Sequence, residues 1–129
     1  MVIVDSSVWI DMFRKRETPQ TISFYRLVGS ESMGLGDLVL YEVLRGVTSP
    51  ERIEKVKSYL LKFTVFTMGG RDMVLQAIHN AHSLRAKGFQ PGTVDCLIAT
   101  LSIVTGSRLL TSDHHFQPFV DILGLELVE

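Results

Sequence analysis

Short runs of aliphatic and β-branched residues alternate along the chain with stretches whose apolar positions recur at helical spacing. The first run, Val2-Ile3-Val4, is uniformly apolar, the pattern of a strand buried on both faces in a parallel sheet. Ser7 is placed to cap a short helix through Phe13, and Arg14-Lys15-Arg16 forms a basic loop. Thr18-Pro19 and Ser49-Pro50 each set a capping hydroxyl before a proline at the first helical position, which predicts helices ending near Gly29 and Lys62. Between them, Met33 to Leu35 reads as a brief strand, followed by a helix that Asp37 caps and Gly46 ends. Phe63 to Met68 alternates β-branched and aromatic residues, as strands do. A long helix is predicted from Arg71 to Lys87, with Val74, Ala77, Ile78, Ala81, Leu84 and Arg85 on one face and Gly88 as its stop. Val94 to Thr105 is the next helix, closed by Gly106. A strand at Leu109 to Thr111, a short helix around His115 to Leu123 and a last strand at Leu125 to Val128 complete the pattern.

Strands alternating with helices predict an α/β domain with a mainly parallel sheet. The 129 residues fit a single domain with one core and no linker. Hydrophobic residues make up 46% and charged residues 21%, the proportions of an ordinary soluble globule. A formal net charge of −1 gives no overall pull toward nucleic acid, so an anionic substrate needs a local basic patch or a metal ion. The lone cysteine, Cys96, excludes an internal disulfide framework and suits a reducing compartment. No apolar run approaches the roughly 18 residues of a membrane span, and the first residues lack the pattern of a signal segment. The expectation is a cytoplasmic protein with no membrane partner.

Two of the apolar runs lead into carboxylates: Val2-Ile3-Val4 into Asp5, and Leu109-Leu110 into Asp113. In open α/β sheets, ligands gather at the carboxyl ends of the strands, so both acids are expected on that rim. Asp is also common in turns and caps, and either residue alone reads that way. Two at equivalent places favour a function. Asp95 lies in the first turn of its helix, where a negative charge suits the macrodipole. It sits beside the stripe Val94, Leu97, Ile98, Leu101, Thr105 and stacks with Ala99 and Ser102, small residues that let a backbone or a ligand come close. Glu42 points away from the stripe Leu40, Val43, Leu44, Val47. By pattern alone it is a solvated glutamate with Arg45 at i+3 as a partner.

The ordered set VIVDSSVWIDMF, VLYEVLRG and TVDCLIATLSIVTGSRLLTSDHHF resembles the PIN-domain nucleases, and within them the VapC-type toxins of prokaryotic toxin–antitoxin modules. The resemblance runs through nearly the whole chain, and the last segment is its most specific part. In that family an acid follows the first strand, a Glu stands in a helix ending near glycine, an Asp opens a helix in a D-x-x-I-A context, and an Asp follows the fourth strand. The matching positions are Asp5, Glu42, Asp95 and Asp113. The resemblance implies a three-layer α/β/α fold around a central, mainly parallel sheet, with residues 1–129 as one nuclease domain. It also implies a homodimer and a cognate antitoxin that blocks the active site.

Carboxylates about 4 Å apart repel by about 4 kcal/mol at an effective dielectric of about 20, so a cluster of them needs a cation or a proton. Oxygen-only ligands suit Mg²⁺ or Mn²⁺, and the implied chemistry is hydrolysis of RNA phosphodiester bonds by a water that such an ion activates. Asp5 and Asp95 are read as direct ligands, and Asp113 as a ligand directly or through water. Glu42 either binds the ion or acts on the attacking water. Ser6, Thr111 and Ser112 are candidates for hydrogen bonds around the cluster, with turn and cap hydroxyls as the alternative. Arg14, Lys15 and Arg16 are candidates to contact RNA phosphates, against the alternative of a solvated loop. Asp11 reads as a helix-surface residue.

Other chemistries find less support. His79, His82, His114 and His115 form no HExxH or cysteine–histidine zinc spacing, and there is no phosphate-cradling glycine loop. One of His79 and His82 is expected at the edge of the core, and His114 in a surface turn. Ser6 and Ser7 lack the G-x-S-x-G setting of a nucleophile. Aspartate-based phosphotransfer through Asp5 meets Ser7 where a haloacid-dehalogenase-like phosphatase has its second Asp, and no lysine follows Lys87 as a receiver domain requires. A catalytically silent PIN-like module that binds RNA or protein is the remaining alternative, and the presence of all four acids argues against it.

Overall fold

The computed structural model describes residues 1–129. In chain order it contains β1 (Val2–Val4), α1 (Ser6–Phe13), α2 (Pro19–Leu27), β2 (Met33–Gly36), α3 (Asp37–Arg45), α4 (Pro50–Leu60), β3 (Thr64–Phe66), α5 (Arg71–Ala86), α6 (Thr93–Val104), β4 (Arg108–Leu110), a 3₁₀ turn (His114–Phe116) and α7 (Gln117–Leu123). The four strands form one sheet in the order β3-β2-β1-β4, and every pairing is parallel. Parallel neighbours need crossover connections, and here the helices supply them. One group, α1 to α4, packs together, as does a second group of α5, α6 and α7, giving an α/β/α arrangement. No helix is long and apolar enough to cross a membrane.

β1 lies inside the sheet with Val2, Ile3 and Val4 fully buried, as its unbroken apolar pattern requires. Its register with β4 pairs Val4 with Leu110, so Asp5 and Thr111 leave the sheet side by side. Directly after the strand, the Trp9 indole packs edge-on against Phe24, with centroids 5.1 Å apart, and lies 5.3 Å from Phe63. Its Nε1–H donates to the Val4 carbonyl at 3.2 Å, which satisfies the buried polar atom and clamps α1 against the end of β1. Gly36 ends β2 where a side chain has no room: a Cβ there would fall 1.8 Å from the buried Met68 sulfur. Twenty-six buried hydrophobic residues make one continuous core.

Four local expectations change. α1 begins two residues earlier than the Ser7 cap implies, with Asp5 at the cap position, because the Ser7 hydroxyl is turned to the Asp5 carboxylate. Gly36, not Asp37, precedes α3, and Asp37 Oδ1 instead accepts the Met68 amide at 3.1 Å, tying α3 to the end of β3. The last strand reduces to a single parallel bridge, Leu109 with Leu127, since only Leu109 exchanges backbone bonds with that segment. Most informative is α5, whose buried face is Ala77, Asn80 and Leu84, while Val74, Leu75 and Ile78 are exposed. Asn80 Nδ2 donates to Thr100 Oγ1 at 3.0 Å and Thr100 in turn donates to the Cys96 carbonyl at 2.7 Å, so a satisfied polar seam turns the helix toward α6. Both His79 and His82 consequently face outward.

Candidate active site

The carboxyl ends of β1 and β4 carry the centre of the site. Asp5 is only 4% exposed, and its Oδ2 accepts the Ser7 hydroxyl at 2.8 Å and the Thr111 hydroxyl at 2.9 Å. Each hydroxyl has a single proton, so with both directed at Asp5 their own oxygens are free to accept. Ser7 Oγ accepts the Ser112 amide at 3.1 Å, and Thr111 Oγ1 accepts the Asp113 amide at 3.0 Å. The loop after β4 is thereby knitted to the loop after β1 through two relays that converge on one carboxylate oxygen. Asp5 Oδ1 is left without a protein donor.

Asp113 caps the 3₁₀ turn, and its Oδ1 accepts the His115 amide and approaches the His115 Nδ1, both at 2.9 Å. Asp95 stands in the first turn of α6 with Ala99 and Ser102 fully buried beneath it on the same helix. Burial lifts its carboxyl to about 6, reinforced by the negative charges of Asp113, Asp5 and, more weakly, Glu42, and opposed by His115. Glu42 projects from α3 to the same rim. Its carboxyl is also raised, first by burial and then by Asp5, while the Ser6 hydroxyl and Arg45 pull it the other way. Asp95 therefore lies within electrostatic reach of the other three acids, and Glu42 within reach of Asp5, although all four come from distant segments.

The outcome for Glu42 differs from its helical pattern. The side chain is half-buried rather than fully solvated: its Oε1 is buried with no hydrogen-bond partner. Arg45 instead lies over the Tyr41 ring at 5.6 Å. A buried acceptor without a donor is costly unless a cation or a substrate proton satisfies it.

The supporting residues also sort themselves. Thr111 bonds Asp5 as expected. Ser6 makes no hydrogen bond to Asp5 and acts electrostatically on Glu42 instead. Ser112 contributes its backbone N–H, while its own hydroxyl is buried without a partner. Ser7 and His115 were not legible as site residues; the only signals are their positions two residues after Asp5 and Asp113. Arg14, Lys15 and Arg16 are exposed at the far end of α1, roughly 12 Å from Asp5 at about 1.5 Å per residue, and Arg16 pairs with Asp11 at 3.8 Å. The structure does not bring that loop to the acids.

No three of the acidic side chains converge on a common ligation point as positioned. What the rim offers is an all-oxygen donor set in which Asp5 Oδ1 accepts from no protein group and Glu42 Oε1 is buried without a partner. That chemistry fits a hard divalent cation such as Mg²⁺ or Mn²⁺ better than zinc, which favours nitrogen and sulfur ligands.

The PIN domain family model matches residues 2–119. The chain belongs to the PIN domain family. Among curated relatives, Ribonuclease VapC32 of Mycobacterium tuberculosis is 28% identical, with the alignment covering 100% of this chain and 98% of that protein. VapBC2 from Rickettsia felis, solved bound to a DNA fragment from its promoter, superposes with a TM-score of 0.80 at 18% identity, covering 99% of this chain and 98% of that one. A toxin–antitoxin complex from Klebsiella pneumoniae superposes at 0.75 with 14% identity, covering 97% and 95%. The latter two likenesses show a shared fold; the placement of Asp5 after β1, Glu42 on α3, Asp95 on α6 and Asp113 after β4 is read from this chain itself.

Proposed function

We propose that this PIN-domain protein is a cytoplasmic, Mg²⁺- or Mn²⁺-dependent endoribonuclease that acts as the toxin of a toxin–antitoxin pair, with the whole chain forming one nuclease domain. What supports this reading is that Asp95 feels the charges of Asp5, Glu42 and Asp113, and Glu42 that of Asp5, although the four come from distant segments of the chain. The likeness to a protein named as a ribonuclease supports RNA as the substrate. The likeness to a toxin–antitoxin complex supports a cognate antitoxin as partner. The exposed apolar residues Val74, Leu75 and Ile78 of α5 supply the kind of face a second copy would cover in a homodimer.

Asp5, Asp95 and Asp113 would hold the ion. When bound, it supplies a water of lowered pKa and positive charge for the leaving oxygen. The chain's own groups do the rest. Asp5 is held in one orientation by Ser7 and Thr111, so its free Oδ1 is presented without loss of side-chain freedom at the moment of binding. Glu42 Oε1, without a donor and in a setting that raises its proton affinity, is placed to take a proton from the attacking water. Arg14, Lys15 and Arg16, remote from the acids, would touch phosphates further along the bound strand.

Incubation of the protein with single-stranded RNA and Mg²⁺ or Mn²⁺ tests the reading. Asp5→Asn and Asp95→Asn should each abolish cleavage while circular dichroism shows the fold retained. Cleavage at the wild-type rate by either variant overturns the site assignment.

A further inference from the structure

Beside the acids lies a cleft of about 470 Å³ that none of the catalytic roles uses. Phe89, Pro91, Gly92, Asp95, His114 and Pro118 line it, so one of its walls is the active-site carboxylate itself. Its volume falls in the range of about 300–1,000 Å³ typical of small-ligand sites. Resting on the nuclease reading, we propose that this cleft is a nucleotide subsite, which receives one unstacked base of a single-stranded RNA next to the phosphodiester that is cut.

Three features point to a base. First, Phe89 is 45% exposed although it follows a helix, and its position is not loose. At the end of α5 the Phe89 amide bonds the Leu84 carbonyl at 3.0 Å and the Gly88 amide bonds the Arg85 carbonyl at 2.9 Å. With Gly88 at φ 88°, these are the paired bonds of a Schellman stop, whose usual hydrophobic contact is between residues placed as Phe89 and Leu84 are. Leu84 lies in the same cleft, so the aromatic ring is fixed in its wall and still open. A rigid exposed aromatic ring is a stacking platform for any base.

Second, Gly92 has an ordinary extended backbone, φ −68° and ψ 151°, which any residue could adopt. A Cβ there would sit 3.7 Å from Asp95 Oδ2. Glycine is therefore not required by the chain's conformation, and what it provides is an open approach from the cleft to the carboxylate. Third, the lining also carries the exposed imidazoles of His114 and His115, which can donate to and accept from the polar edge of a base. Apolar faces with polar edges are how single-stranded RNA is read, whereas duplex bases stay stacked on each other and cannot enter.

The test uses the full chain and a short single-stranded RNA of mixed sequence, with binding measured by fluorescence anisotropy in the absence of divalent metal and cleavage measured in its presence. Phe89→Ala should weaken binding about tenfold and raise KM more than it lowers kcat. F89W should bind as the wild type does, and its emission should be quenched by single-stranded RNA but not by duplex, since the native Trp9 is fully buried. Wild-type binding and cleavage by Phe89→Ala overturn the subsite and leave the cleft to a protein segment, with the nuclease reading untouched. Equal quenching by duplex RNA also overturns it. Quenching by a wild-type-folded protein that never cuts RNA would keep the subsite and remove the nuclease.

Discussion

Thr111 donates its hydroxyl proton to Asp5 Oδ2 at 2.9 Å across the parallel β1–β4 pair, and Thr111 Oγ1 itself accepts the Asp113 amide at 3.0 Å. One side chain thus sets both the orientation of the first acid and the backbone position of the last. The register that pairs Val4 with Leu110 makes this possible, because it places the two residues that follow at adjacent strand ends.

Thr111→Val keeps the shape and removes both bonds. A lost hydrogen bond to a charged group costs about 1.5–3 kcal/mol when its partner stays buried. The variant should melt several degrees lower and lose roughly tenfold or more in kcat, with KM for RNA little changed. Thr111→Ser should restore most of the rate. A Val variant that cuts as fast as the wild type would show that the relay does not position Asp5.

Asp95 gives a pH signature. Its carboxyl titrates near 3.8 in the unfolded chain and at about 6 in the fold, raised by burial and by the charges of Asp113 and Asp5. Between those pH values the folded protein binds more protons than the unfolded chain, so stability falls as pH rises through the window and the full cost is present above it. Solvent screening of a half-exposed group reduces that cost to about 1 kcal/mol. Asp95→Asn should therefore raise Tm by about 4 °C at pH 7.5 and by nearly nothing at pH 4. An equal gain at both pH values in differential scanning calorimetry would contradict the burial of a charged carboxylate there.

Divalent metal should act on the same residues without any RNA present. An ion that binds only the folded state at a hundredfold excess over its Kd stabilises by about 2.7 kcal/mol. Mg²⁺ or Mn²⁺ should raise the wild-type Tm, and EDTA should reverse the shift and stop RNA cleavage. Asp5→Asn should show little of it. A shift of the same size in that variant would place the ion elsewhere.

Much of the fold was legible because neighbours along the chain decide it. The apolar runs located β1, β2, β3 and β4, and Thr18-Pro19 and Ser49-Pro50 located the starts of α2 and α4. Asp5 and Asp113 stood out by their places after strands and Asp95 by its place beside small residues in a helix, whereas Glu42 was a candidate only through resemblance to a family. Pattern failed wherever a distant partner competes with local preference. Val74 and Ile78 look like core residues, yet the bond from Asn80 to Thr100 turns that face of α5 outward. Ser7 looks like a cap, yet Asp5 takes its proton.

By itself the sequence determined which segments become strands and helices, and which carboxylates stand ready at their ends, because periodicity and capping act over a few residues. Only the tertiary structure decided that Glu42 Oε1 is buried without a partner, that Ser7 and Thr111 hold the same oxygen of Asp5, and that Phe89 opens onto Asp95. Those facts depend on strand register and helix rotation, which are settled by contacts between residues up to a hundred or so positions apart, such as Ser7 with Ser112.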